Sequence, residues 1–497
     1  MPNVYADRRA FRVYLAGCLL ASWTAGCASA PEGDRHVQRP EVAPATQPSA
    51  SLVLGETRVQ PMYRQLLAVD LPTVVRVASA RAIDVREARE RVKSAEGRYE
   101  AAVEALFPVV APTFAWQHLD GVNQNANGTL VSTNFSNLVP AVTLQWIVNP
   151  GRVYYDIVAS RRRLDATREQ ERASELDTLR VAANQFYDLV LAQATVAVAQ
   201  QSVRQSEEAL RLTARRVRAG TALAADESRA RASLAGRRQD LILALNNFYQ
   251  ASVALTVTLH LDATVTLVPG PSAIAQSTLV RDDLPIDQAI ATAVEHRPDL
   301  RSARSLLAAA KADTGAVTWG ALGPQLQAAY SAGALRTEVG GQTLGPHEQQ
   351  KASASAGFAL GLSTFGQVKA ANANARAAAL DVERRLDQVR AQIVSAQQDS
   401  AASALLIPIA SEQVAAAEEA LRLAQANVTA GTMLLLDVLQ AEDELDNARL
   451  RYARAVAHYN QSQVRLLAAL GLFDLNSITP PATQPAGQSP PGTAEAG

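Results

Sequence analysis

Cysteine is nearly missing: the 497 residues hold two, Cys18 and Cys27, and none follows. A disulfide framework or a cysteine-bound zinc site is excluded for the rest of the chain, and the six histidines, His36, His118, His260, His296, His347 and His458, show no ligand spacing. Aromatic residues make up only 5%, which disfavours compact cores dense in large rings and suits long alanine-rich helices. Neither sign of charge dominates: 47 basic against 48 acidic residues give a net charge of -1, so no basic surplus points to nucleic acid. No run of 18 apolar residues follows Cys27, so a crossing of a membrane is expected as a β-barrel. P-loop, metal-binding-helix and nucleophile-elbow motifs are also missing, and the expectation is a protein that is not an enzyme, without catalytic residues, metal or cofactor.

What is present begins with an export segment. Arg8, Arg9 and Arg12 precede an apolar stretch from Val13 to Ala25, of signal-peptide length. "RRAF" half-matches a twin-arginine signal, which leaves general secretion and folded export both open. Each cysteine follows an Ala-Gly pair. "LAGC", ending at Cys18, is the better letter match to a lipoprotein signal, but cleavage there would leave too short an apolar segment. "TAGC", ending at Cys27, has the whole apolar stretch before it, so Cys27 is the expected lipid-bearing residue. Small residues of a conventional cleavage site near "CASA" are the alternative. The segments expected are a signal peptide over 1–26, a Pro-, Ala- and Ser-rich flexible tether over 27–60, repeats over 61–270 and 271–478, and a disordered tail over 479–497.

The body is duplicated. "LPTVVRVASARAIDVREARE" from Leu71 answers "LPIDQAIATAVEHRPDLRSARS" from Leu284, and each half continues as helix, strand, loop, strand, long helix, turn, helix. The first helix is expected from about Leu71 to Leu106. In the strands that follow, Val110, Phe114 and Trp116 alternate with Ala111, Thr113 and Ala115, and Val142, Leu144 and Trp146 with Thr143 and Gln145. In the second half Leu326, Ala328 and Tyr330 oppose Gln325 and Gln327, and Phe358, Leu360 and Leu362 oppose Ser355 and Gly357. Apolar and aromatic against small and polar, over roughly ten residues, is the pattern of lipid-facing barrel strands, or of an ordinary half-buried sheet. Proline-free helical patterning from Arg152 to Ala219 allows one helix of about 100 Å, with a partner over 222–261; the second pair spans 368–430 and 434–470. Pro408 is expected to kink the second long helix. Helices of this length need side-by-side helical partners rather than a globular core.

The turns match best: "RVRAGTALAADESRARASL" at 216–234 and "NVTAGTMLLLDVLQAEDEL" at 427–445 share Gly220/Gly431, Thr221/Thr432, Leu223/Leu434 and Asp226/Asp437. A left-handed glycine ending one helix, and helix-start charge at the aspartates, explain part of this. The signal, the duplicated plan and the two "AGT" turns together resemble the TolC-like outer membrane efflux protein family, in its lipoprotein-bearing branch, over residues 60–475.

That resemblance implies a mainly α chain with a small transmembrane β part. Duplicated long helical hairpins would form an α-barrel, and four strands per chain would contribute to a shared β-barrel in the bacterial outer membrane. It also implies a homotrimer, a periplasmic adaptor and an inner-membrane transporter as partners, and no nucleic acid. The function implied is that of an exit duct for efflux or type I secretion. Gly220, Thr221, Gly431 and Thr432 would be adaptor-contacting tips, and Asp437 and Asp226 would line the periplasmic entrance. Gln440 stands where the family often has a second aspartate, and Met433 where it often has a polar linking residue, so fewer closing contacts are expected. The alternative is a lipid-anchored periplasmic adaptor or structural coiled-coil envelope protein, which would have one hairpin flanked by β-rich domains.

Overall fold

The computed structural model describes residues 65–473 apart from 125, 263, 271–274, 282–283, 340–341, 359–360 and 431–434. The signal segment, Cys27, the tether, the tail, and Gly431 and Thr432 therefore lie outside the described residues.

The duplication governs the architecture. The first repeat runs β1 (Gln65–Val69), α1 (Leu71–Arg81), α2 (Ile83–Glu104), β2 (Val109–Gln124), β3 (Leu130–Val148), α3 (Pro150–Arg218) and α4 (Ala224–Thr258). The second runs β4 (Val265–Pro269), α5 (Ile286–His296), α6 (Pro298–Leu322), β5 (Gln325–Val339), β6 (Gln342–Gly357), α7 (Ser363–Ala430) and α8 (Leu435–Ala469). The long helices have 69 and 68 residues, and their partners 35 each.

Four strands form one antiparallel sheet in the order β2-β3-β5-β6, which leaves β2 and β6 as edges. Below it the helices form a single wall. The long helix α3 is its centre, flanked first by α2 and α6 and further along by α4 and α8, while α7 packs on α6 and α8. Core residues gather where these columns meet the small sheet: Val74 and Val75 of α1, Leu189 of α3, Leu255 of α4, Leu267 of β4 and Val464 of α8 are all buried together. A second cluster joins α5, α7 and α8 through Ala289, Val389, Ile393 and Leu466.

Several expectations are corrected. Two further strands exist: β1 and β4 pair in parallel, Gln65 opposite Val265 through Val69 opposite Pro269. Each opens one repeat, and five residues paired across 200 positions leave no periodic signal. The helix expected over Leu71–Leu106 divides at Ala82, which is extended (φ -56°, ψ 134°). Arg297 takes the same conformation (φ -67°, ψ 120°) in the second repeat, where Pro298 enforces it. The strands are 15 to 19 residues long rather than about ten, because hairpin pairing continues through polar sequence once begun. Strand β6 ends at Gly357, so the exposed Phe358 and Leu362 lie beyond it, and Leu360 is outside the described residues. Helix α7 runs continuously through Pro408, which sits on an exposed side of it.

Candidate functional site

The sheet has two chemically distinct faces. Register places Val110, Pro112, Phe114 and Trp116 opposite Leu144, Val142, Pro140 and Leu138, and continues Leu144 and Trp146 to Tyr330 and Ala328, then to Ala352 and Ala354. All share one face because side chains alternate and the pairing has no slip there. The large members stand open: Phe114 is 74% exposed and Trp116 67%. On the other face the same strands carry Thr113, Gln117, Asn137, Thr143, Gln145, Gln325, Gln327, Ser331, Ser353 and Ser355. An exposed apolar face opposite a polar one with a single Lys, Lys351 opposite Ser331, is the arrangement of a sheet with lipid on one side and water on the other. Trp146 lies at the helix end of the apolar face, its Nε1 donating to the Leu106 carbonyl at 2.8 Å.

The junction of sheet and wall is tightly set. Asn149 caps α3 by accepting from the Arg152 N–H at 3.0 Å, and its Nδ2 donates to the Trp319 carbonyl at 2.9 Å. A Cβ on Gly151 would lie 2.4 Å from the Trp319 ring, so α3 and α6 approach here only because that position has no side chain. Further along, Arg163 pairs with Asp313 at 2.5 Å and Arg168 with Glu96 at 2.8 Å.

At the far end, α3 stops as the "AGT" motif predicts. Gly220 takes φ +72°, the Thr221 N–H donates to the Arg216 carbonyl at 2.9 Å, and the Gly220 N–H to Val217 at 3.1 Å, which satisfies carbonyls the helix would leave open. Asp226 is the third residue of α4. Its Oδ2 accepts from the Leu223 N–H at 3.3 Å and its Oδ1 faces Arg229 at 3.3 Å, so within one chain it closes its own helix start. Asp437 lies in the first turn of α8. The two hairpin ends meet: Arg216 Nη2 donates to the Val428 carbonyl at 3.2 Å.

One cluster near this end escaped the sequence analysis. Glu442 and Asp446 of α8 are buried, and Arg237 of α4 pairs with Asp443 and, at 3.3 Å, with Asp446. Burial pushes Glu442 up to about 7, a rise that Arg237 opposes and Asp446 adds to. Asp446 is also raised by burial, against hydrogen bonding from Ser202 and the charges of Arg237 and Arg449. The signal was there: acids four residues apart among Val438, Ala441 and Leu445, on the face that the apolar spacing assigns to the core. Among the described residues no group of three or more His, Cys, Asp or Glu is arranged to hold a metal ion.

Two helices, α4 and α7, are long and apolar enough to cross a membrane by length and composition. Each packs lengthwise on another helix of the wall. Much of their apolar surplus faces outward: Ile242, Leu243 and Val257 on α4, and Leu405, Leu406 and Ile409 on α7, are exposed.

Comparison with known proteins agrees with this geometry. The sequence model of the outer membrane efflux protein family matches residues 74–259 and 289–472, one block in each repeat. A search of curated proteins returns no match. Solved structures with the same fold include the CmeC outer membrane channel of Campylobacter jejuni, 18% identical with a TM-score of 0.68, covering 82% of this chain and 86% of that one. The outer membrane protein VceC of Vibrio cholerae is 19% identical with a TM-score of 0.66, covering 81% and 96%. The MtrE outer membrane channel of Neisseria gonorrhoeae, in its open state, is 20% identical with a TM-score of 0.64, covering 81% and 89%.

Proposed function

The chain belongs to the outer membrane efflux protein family, and from that membership we propose that three copies form one exit duct, fed by a periplasmic adaptor and an inner-membrane transporter. The observation that carries the reading is the pair of unmet edges. Among the described residues strands β2 and β6 have no outer partner, and an open edge in lipid would leave backbone groups unsatisfied at several kcal/mol each. The wall ends in the same way, with apolar side chains of α4 and α7 exposed. Copies joined β6 to β2 and α7 to α4 close both layers at once. Twelve strands then make the barrel and the long helices a tunnel beneath it. The adaptor alternative calls for one hairpin between β-rich domains, whereas this chain has two hairpins and one lipid-compatible sheet.

Transport through such a duct needs no covalent chemistry. It needs a wet, polar bore and a constriction whose opening a partner biases. The bore is the face bearing Gln117, Gln145 and Gln327. The hairpin ends are the entrance, where Gly220, Thr221, Gly431 and Thr432 allow close approach of adaptor helices. Three copies of Asp437 form a ring of negative charge that favours cations, and Asp226 holds the start of its own helix, α4, in place. A lipid on Cys27, followed by the tether, anchors the chain to the outer membrane. The mass of the mature N-terminal peptide tests this: a diacylated or triacylated Cys27 is expected, and an unmodified peptide beginning elsewhere removes the anchor.

The duct itself is tested by reconstituting detergent-extracted protein in planar bilayers. Steady unitary conductance from a heat-modifiable oligomer is expected. A monomer in the soluble periplasmic fraction, without conductance, overturns the reading. Asp437→Ala should weaken block by divalent cations from the periplasmic side, and unchanged block would remove Asp437 from the entrance.

A further inference from the structure

The polar face of the sheet is almost free of charge, and the exception stands alone. Ala111, Thr143, Ser331 and Lys351 are in register across the four strands. Lys351 therefore shares the face of Gln117, Gln145 and Gln327. Following that face along every strand, Lys351 is the single Lys, Arg, Asp or Glu among its described residues, and His347, opposite Leu335, is the one histidine there. His118, Asp120, Arg336, Glu338 and Glu348 fall on the opposite face, towards the hairpin loops and beyond the rows of Val110, Val142, Tyr330 and Ala352. Strand β6 is an edge, so its outer neighbour in a closed barrel is β2 of the next copy. The residues that β2 turns to the polar face are Val109, Ala111, Thr113, Ala115, Gln117, Leu119, Gly121 and Asn123, none of which can neutralise an ammonium.

We infer that Lys351 sets the charge preference of the barrel bore, drawing small anions over cations in its helix-proximal half, where Ala111 is only the third residue of β2; the inference rests on the trimeric duct proposed above. Strand spacing and tilt put a twelve-stranded backbone roughly 12 Å from the axis. The lysine stem carries its charge inward from that wall, and the Debye length at 0.1 M salt is about 10 Å. Three such charges thus act on the whole cross-section at that level, and fixed charge at a pore wall sorts ions by sign. The duct would then change polarity along its length, acidic at the hairpin tips and basic where the barrel meets the helical tunnel.

Reversal potentials of single channels under a salt gradient centred near 0.1 M test this in the full-length protein. In Lys351→Gln the anion-over-cation permeability ratio should fall by about twofold or more, in Lys351→Glu further, and the differences should shrink at 1 M salt. Arg336→Gln removes the same charge from the opposite face and should leave the ratio unchanged. Conducting oligomers of Lys351→Glu with the wild-type ratio would overturn the role of Lys351 while leaving the duct intact. An equal shift in Arg336→Gln would do the same, by showing that the position on the wall does not matter. Wild-type protein that inserts and never conducts would instead overturn the duct on which the inference rests.

Discussion

Helices α3 and α7 are repeats of one another, 69 and 68 residues long, and they live in opposite surroundings. Along α3, Leu164, Leu179, Phe186, Tyr187, Leu189 and Val203 are buried, because α2 and α4 cover one side and α6 and α8 the other. Along α7, Phe365, Leu380, Leu405, Leu406, Ile409 and Leu423 are exposed, because α6, α8 and the short α5 are the helices that pack on it. Nothing in composition forces this difference. It follows from position: α3 is interior to the wall of one chain, and in the proposed oligomer α7 would become interior when another copy arrives. The duplication is symmetric in sequence and asymmetric in the monomer, and the proposed closed ring of copies would restore the symmetry.

The comparison can be broken most strongly by truncation. Leu189→Ala on α3 should cost about 3 kcal/mol of chain stability in denaturant unfolding, since the site is fully buried. Leu405→Ala on α7, 68% exposed, should cost the separated chain under about 0.5 kcal/mol and yet lower the temperature at which the oligomer dissociates. Equal losses at the two positions in separated chains would erase the distinction.

The next largest effect is a pH dependence that the second hairpin has and the first lacks. Glu442 is held at about 7 against an ordinary 4.5, and the first repeat has Arg231 at the aligned position. The folded chain keeps this proton where the unfolded chain has lost it. The stability it supports is therefore complete below pH 4.5 and is lost as pH rises through 7, by roughly 3 kcal/mol in all. Glu442→Gln should flatten this profile, matching wild type at pH 4 and exceeding it at pH 8. A profile that keeps its slope in the variant places the titration elsewhere.

Smaller still is the cap at the first hairpin. Asp226→Ala should cost about 1 kcal/mol, with Asp226→Asn recovering most of it, as read by hydrogen exchange at the start of α4. Loss of conductance control in Asp226→Ala without any change in exchange would instead point to a contact between copies.

How much of this was legible in the sequence follows from the range of each interaction. The long helices were, since proline-free polar-apolar patterning fixes them locally, and so was the left-handed Gly220, because "AGT" between two helical patterns calls for it. The lipid-facing side of the sheet was readable from the alternation of Val110, Phe114 and Trp116 with Ala111, Thr113 and Ala115. The break at Ala82 was not, since no proline stands there as Pro298 does in the second repeat. The β1 and β4 pair was hidden for want of local pattern. Glu442 and Asp446 were visible as spacing on a core face, but their meaning depends on Arg237, which lies 205 residues before Glu442 and on a helix that sequence alone does not bring near. Exposure of α7 against burial of α3 could not be read at all, because it depends on which column ends the wall.

The central claim is that one chain is an incomplete sector of a ring. Light scattering coupled to size exclusion, corrected for detergent, measures it directly on protein extracted from the outer membrane. A single species with the mass of three chains is the expected result. A monodisperse particle with the mass of one chain, its β2 and β6 edges and its α4 and α7 faces left open, would contradict it.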